Sequence, residues 1–314
     1  MKTLIPFTKM VGAGNDFLLI DTVRHPLGAR TPQWRAVSRA LCGRHRGIGA
    51  DGMLVLEPST MADVRMRVFN PDGSEAKMCG NGARCVARYV HDRRRPARRH
   101  QHGSREVSIQ TAGGLLGAIV RGDRVRMRLP DPTDLRLGLR VKAAGRTLEV
   151  ASINTGVPHA VVPVHALDAL DVAHVGRALR HHRAFGSHGT NVDFIQPHTT
   201  QRHCLRVRTY ERGVEGETLA CGTGVAASAV VHALTSGVSR GPHRAAGNGA
   251  PRAYSVNVET RSGDRMTVSF GVVPSGRGVR VTDLVLEGAA RRICDGTIFW
   301  PLEGSHHLPV KAAR

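Results

Sequence analysis

FNPDGSEAKMCGNGARCVARYV (69–90) and YERGVEGETLACGTGVAASAVV (210–231) are two passes over one pattern. Each begins with strand residues, turns through a polar glycine-containing segment and reaches a cysteine. Each then continues as Gly-x-Gly into a run of small residues with helical character. Cys79 and Cys221 stand 142 residues apart, close to the size of an ordinary domain. Two related domains, each presenting Cys-Gly-x-Gly at a helix start, account for the repeat.

That placement has a chemical consequence. Helix N-termini carry unsatisfied backbone N–H groups and the positive end of the macrodipole, so they favour an anion and the thiolate form of cysteine. The glycines let backbone amides approach a substrate carboxylate while the thiol faces the adjacent carbon. Two such thiols suit inversion of a carbon that bears an acidic hydrogen. One removes the proton from one face and the other delivers a proton to the opposite face.

The rest of the chain is consistent with a turn-rich globular protein. It has 314 residues, 41% hydrophobic and 22% charged, with 36 glycines and 16 prolines. Length predicts two domains. Strand-like runs dominate: 17–21, 53–58, 63–71, 105–111, 117–130 and 147–156, then 159–164, 191–197, 204–212, 253–260, 265–270 and 279–288. Helical patterns occupy 32–44, 81–93, 168–182 and 222–237. The class is α/β of the α+β type with much antiparallel sheet.

Composition narrows the function classes. No stretch approaches the roughly 18 consecutive apolar residues of a membrane span, and the N-terminus lacks the apolar core of a secretory signal, so a cytoplasmic protein is expected. The six cysteines form no CxxC pair and no zinc-like Cys/His spacing, so no metal is expected. Cys42, Cys85, Cys204 and Cys294 lack the repeated glycine context and read as structural. No Schiff-base lysine motif marks a pyridoxal site, so no cofactor is expected. The formal charge of +20 invites a polyanion-binding alternative. Its arginine-rich run at 91–105 carries no interleaved aromatics for base stacking, and reads as solvated loop without specific nucleic-acid binding.

With these motifs in place, the sequence resembles the diaminopimelate epimerases, pyridoxal-independent amino-acid epimerases of lysine and peptidoglycan-precursor biosynthesis. The resemblance rests on FTKMVGAGNDF (7–17), CGRHRGIGADGMLVL (42–56), the two cysteine segments, NTGVPHAVV (154–162), GTNVDFIQ (189–196) and CDGTIFW (294–300). It implies two pseudo-symmetric domains, each a mixed, largely antiparallel sheet wrapped around a central helix, with the active site in the cleft between them. The expected domains are 1–130 plus 289–314, carrying Cys79, and 131–288, carrying Cys221. A homodimer acting on a small-molecule substrate is implied as well.

The resemblance also assigns roles. Cys79 becomes proton donor and Cys221 acceptor in one direction, with roles exchanged in the other. His159 and Glu211 become modulators of thiol ionisation. Asn15, Asn70, Gly80, Asn81, Asn191, Glu211, Arg212, Gly222 and Thr223 become substrate contacts, Arg212 being suited to clamp a carboxylate. Three positions depart from the family pattern: Val11 stands for a common histidine, Gly52 for a glutamine of some members, and Val157 for a frequent asparagine. The nearest alternative enzyme is a proline or hydroxyproline racemase of the same fold, which typically has histidine where this chain has Asn81.

Overall fold

The parallel strand pairs explain where the helices sit, because a parallel pair needs a crossover and a helix is the usual one. The computed structural model describes residues 3–27, 33–94, 105–199, 201, 204–236, 251–276 and 278–301. Four α-helices occur among them: α1 (Trp34–Leu41), α2 (Gly80–Arg93), α3 (Val172–Arg180) and α4 (Gly222–Ser236). Each falls inside one of the helical stretches expected from sequence, apart from a first residue in α2 one position earlier.

The described residues form two compact units. One takes those within Met1–His100, Glu106–Gly117 and Ala290–Arg314; the other takes chiefly those within Ala118–Ala289. In the first, Thr3–Gly12 pairs antiparallel with Asn15–Asp21, which runs parallel to Gly52–Glu57. Gly52–Glu57 is antiparallel to Val64–Phe69, which pairs antiparallel with Glu75–Ala76 and parallel with Arg105–Thr111. The second unit repeats this series step for step through Arg146–Asn154, Pro158–Pro163, Asn191–Pro197, Cys204–Glu211, Gly216–Thr218 and Arg252–Glu259. Helices α1 and α3 cross over the first parallel pair of each series, and α2 and α4 cross over the second.

Register makes the repeat exact to the residue. Phe17 faces Gly52 as His159 faces Asn191, and Leu54 faces Val68 as Asp193 faces Thr209. Phe69 faces Glu75 as Tyr210 faces Glu217. An ion pair is repeated with its atoms: Arg67 Nε and Nη2 donate to the two Glu75 oxygens at 2.7 and 2.9 Å, and Arg208 Nε and Nη2 donate to those of Glu217 at 2.6 and 2.8 Å. Such forks match guanidinium to carboxylate geometry.

Packing follows side-chain size. Helix α4 is lined with Ala, Val, Ser and Gly, has no dominant apolar face, and is buried continuously from Gly224 to Val231. It lies against seven strands of its own unit, from Arg146–Asn154 through Gly278–Ala289. Helix α2 contacts four strands of the first unit and buries Asn81 through Ala87. The outer helices are amphipathic. Helix α1 turns Trp34, Val37 and Leu41 onto Leu18, Ile20, Met53 and Val55, while α3 turns Val172, Val175 and Leu179 onto Val162, Phe194 and Tyr210.

The hairpin after the first repeat joins the second unit. Ala118–Arg121 pairs with Arg124–Met127, and Arg124–Arg128 pairs with Val285–Ala289. Residues 118–130, grouped with the first domain on sequence, therefore pack with the second by contact. The last strand, Arg291–Trp300, pairs with Thr3–Val11 and belongs to the first unit. Part of the basic run also has a structural use: Arg93 pairs with the buried Asp21 carboxylate at 2.6 Å, and Arg94 pairs with Asp63 at 2.6 Å. Arg94 holds the Asp63 carboxyl down at about 2. Residues 95–104 lie outside the described residues.

Candidate active site

In the first unit, the chain arrives at α2 in extended conformation, with Cys79 at φ −142° and ψ 113° as N-cap. Its sulfur accepts a hydrogen bond from the Gly82 N–H at 3.4 Å, using one of the donors that a helix start leaves over. A Cβ at Gly80 would meet nothing within 4 Å, so backbone beside the thiol faces open space. Gly82 is different, since a Cβ there would lie 2.8 Å from Leu54 Cδ2.

Asn81 is buried and sits in a chain of polar side chains. Its Nδ2 donates to Asn15 Oδ1 at 2.6 Å, and its Oδ1 accepts from Arg84 at 2.7 Å. Asn15 Nδ2 in turn donates to Asp51 Oδ2 at 3.1 Å. Asp16 and Asp51 exchange backbone-to-carboxylate bonds at 3.2 and 3.0 Å, which ties the two loops together. Lys9 and Arg44 neutralise the pair, at 2.6 Å from Asp16 and Asp51 respectively. Burial acts to raise the Asp16 carboxyl, but the bonds from Lys9 and Arg44 outweigh it and hold the group below its usual range. Asn15 and Asn81 thus meet. Asn70 is exposed and donates to Ser74 Oγ at 2.9 Å within its own turn.

In the second unit, Cys221 directly precedes α4 and is 8% exposed. Its sulfur lies 3.4 Å from Thr223 Oγ1. Thr223 Oγ1 lies 2.9 Å from His159 Nε2, and His159 Nδ1 lies 2.7 Å from Asp193 Oδ2. Thr209 donates to Asp193 Oδ1 at 2.7 Å. His159, Asp193 and Thr209 are all buried. The Thr155 hydroxyl donates to the Thr223 carbonyl at 2.9 Å and fixes the helix start. Burial, followed by the negative charges of Glu211 and Asp193, pushes the Cys221 thiol well up, against the opposing bonds from Thr223 and Gly224. Burial likewise raises the Glu211 carboxyl, opposed by the Thr218 hydroxyl.

Asn191 is committed to the backbone. Its Nδ2 donates to the Pro158 carbonyl at 3.2 Å, and its Oδ1 accepts from the Arg212 N–H at 2.8 Å. It therefore orients both the His159 strand and the turn that carries Glu211 and Arg212. The Arg212 side chain is half-buried. Among the described residues no group of three or more His, Cys, Asp and Glu side chains gathers as a metal ion would require, and no helix is long and apolar enough to cross a membrane.

Asp193, Thr209, Asp51 and Thr155 are absent from the residues picked out by sequence. For Asp193 the signal was there: a carboxylate in the apolar strand NVDFI has to be buried, and a buried carboxylate needs partners.

The differing environments of the thiols give a chemical expectation. The half-exposed Cys79, together with the exposed Cys294, should react with iodoacetamide at neutral pH roughly tenfold or more faster than Cys221, since the thiolate is the nucleophile and burial disfavours it. Peptide mass spectrometry over a time course measures this. Labelling of Cys221 first would contradict it.

The two repeated units, each with a cysteine at the start of its inner helix, give a fold class shared with solved structures of low sequence identity. Solved structures that match include a hydroxyproline epimerase from Agrobacterium vitis, at TM-score 0.65 and 16% identity over 94% of this chain and 91% of that one. A phenazine biosynthesis protein of Bacillus anthracis matches at TM-score 0.67 and 16% identity over 94% and 99%. Within that class the family is defined by sequence: the chain belongs to the diaminopimelate epimerase family, whose sequence model matches residues 7–129 and 151–273. A diaminopimelate epimerase of Aquifex aeolicus is 38% identical over 84% of this chain and 89% of its own length. That of Chlorobaculum tepidum is 36% identical over 92% and 99%, and that of Archaeoglobus fulgidus 43% over 73% and 82%.

Proposed function

We propose that the protein interconverts L,L-diaminopimelate and meso-diaminopimelate in lysine and peptidoglycan-precursor biosynthesis, by a two-base thiol/thiolate mechanism without pyridoxal phosphate. The observation that carries the reading is the matched pair Cys79 and Cys221, each at the start of its unit's inner helix, in a chain of this family. In the forward step a thiolate takes the α-hydrogen, so the C–H bond breaks and an S–H bond forms. The other thiol gives its proton to the opposite face, and the new thiolate is ready for the reverse reaction. Backbone N–H groups at Gly80, Asn81, Gly222 and Thr223 would hold the α-carboxylate and stabilise the carbanion. Glu211 would hold the ammonium, Asn15, Asn70 and Arg212 would serve the remaining polar groups, and Asn191 would hold the turn that carries Glu211 and Arg212.

The protein is read as cytoplasmic and homodimeric. Support for a second copy comes from Leu4, Ile293 and Phe299, which are 54%, 58% and 61% exposed on the paired strands Thr3–Gly12 and Arg291–Trp300, with Leu4 directly opposite Phe299.

Incubation with L,L-diaminopimelate in deuterated water tests the activity. Deuterium should enter the α-position as the meso isomer forms. Exchange of proline or hydroxyproline in place of diaminopimelate would transfer the assignment to the racemases of the same fold. Salt-sensitive nucleic-acid binding that survives loss of both thiols, with no exchange, would favour the polyanion reading.

A further inference from the structure

Superposing the two strand registers exposes a difference between the halves. Beneath the start of α2 the first unit has Phe17, Leu54 and Val68, all apolar and buried. The corresponding positions beneath the start of α4 are His159, Asp193 and Thr209, also buried. Three neighbouring apolar side chains in one half are thus three hydrogen-bonded polar side chains in the other. Burying three polar groups costs stability unless each is hydrogen-bonded, so the three have to satisfy one another. The polar set is satisfied and has a direction, running from Thr209 through Asp193 and His159 to Thr223 and the Cys221 sulfur.

We propose that Asp193 is a positioning residue for Cys221: by accepting from His159 Nδ1–H, it holds the imidazole with Nε2 unprotonated toward Thr223. Nε2 accepts from the Thr223 hydroxyl, whose oxygen is then free to accept from the Cys221 S–H. A thiol that must surrender and recover its proton at the substrate carbon is thereby held in one rotamer with a fixed acceptor behind it. Thr209 occupies the other Asp193 oxygen and keeps the carboxylate from turning. Among the described residues, the charged groups facing the imidazole are Asp193 from its neighbouring strand and Glu211 from the next one, with Thr223 in the first turn of α4 and Cys221 just before it. At the equivalent strand positions in the unit of Cys79 stand Phe17, Leu54 and Val68.

This inference rests on the epimerase reading for its consequence but not for its first measurement. In protein labelled with ¹⁵N-histidine, the resonance absent from His159→Gln should show the Nδ1–H tautomer in the wild type, without substrate. Asp193→Asn, whose amide can donate to Nδ1, should shift it to Nε2–H. Outer partners of a metal-bound histidine are typically worth about ten- to a hundredfold, and the same scale is expected for the partner of His159. Asp193→Asn should therefore lower kcat for α-deuterium exchange by that factor with KM little changed, and by the same factor in both directions of kcat/KM. If Asp193→Asn does not fold, a triple variant copying the other half (His159→Phe, Asp193→Leu, Thr209→Val) supplies side chains already packed at equivalent positions. It should fold and lose exchange more severely. An Nε2–H tautomer in the wild type, or unchanged exchange in these variants, overturns the proposal. Absence of exchange in the wild type defeats the epimerase reading instead, and leaves the tautomer measurement to decide the role of Asp193.

Discussion

Cys79→Ala and Cys221→Ala should each abolish epimerisation in both directions, with a loss of at least a thousandfold in kcat/KM. A positioned acid or base is commonly worth about 10²–10⁴-fold. Here the upper part of that range applies, because inversion needs a proton taken from one face and delivered to the other, and one alanine leaves a face with neither donor nor acceptor. Both positions are tolerant in a structural sense. Cys79 is half-buried at an N-cap and Cys221 is buried just before a helix start, so each change should cost stability within the ordinary range of about 0.5–3 kcal/mol. The check is chiral separation of the diaminopimelate isomers after prolonged incubation, alongside circular dichroism to show that each variant is folded. Near-wild-type turnover in either would sink the two-base mechanism, since a single thiol would then serve both faces.

The sequence was most informative where its local signals and the fold agree. The four helices were legible because each combines a periodic or small-residue core with polar punctuation, and the repeat could be read directly from two cysteine segments. The first strand, Thr3–Gly12, was not among the readable strands: Pro6 interrupts it, and its alternation is weak until Thr8. Thr133–Ala143 is mostly exposed, carries left-handed backbone at Asp134 and Gly138, and pairs with Arg146–Asn154 through two register shifts. Periodicity alone does not report such irregularities. Of the site, the residues next to the cysteines were legible by motif. Thr209 became visible only through register, which sets it opposite Asp193, and Asp51 only through the loop contacts that bring it to Asn15 and Asp16. Asn191 shows the converse: its motif is prominent, yet its side chain is occupied in tying Pro158 to Arg212.

Gly224→Ala should be far more damaging than Gly82→Ala, although the two glycines occupy the same place in the repeat. Both lie in the first turn of an inner helix, where alanine gains up to about 1 kcal/mol over glycine in propensity. At Gly82 the added methyl meets the end of the Leu54 side chain at 2.8 Å, an apolar group that can give by a small shift without losing a hydrogen bond. At Gly224 it would sit 2.3 Å from Asp193 Oδ1 and 3.3 Å from His159 Cε1. Asp193 cannot turn away without giving up its bonds to Thr209 and His159, and His159 cannot shift without leaving Thr223. Overpacking of a fixed site costs about 1–3 kcal/mol, which exceeds the propensity gain. Gly224→Ala should therefore lower stability by about 1–2 kcal/mol and cut exchange at least as much as Asp193→Asn, while Gly82→Ala stays within about 1 kcal/mol of the wild type. Denaturant titration and the deuterium assay on both variants measure the difference. Equal behaviour of the two would mean that the Asp193 carboxylate is free to move, and that the helix start in the second unit is no more constrained than its apolar counterpart in the first.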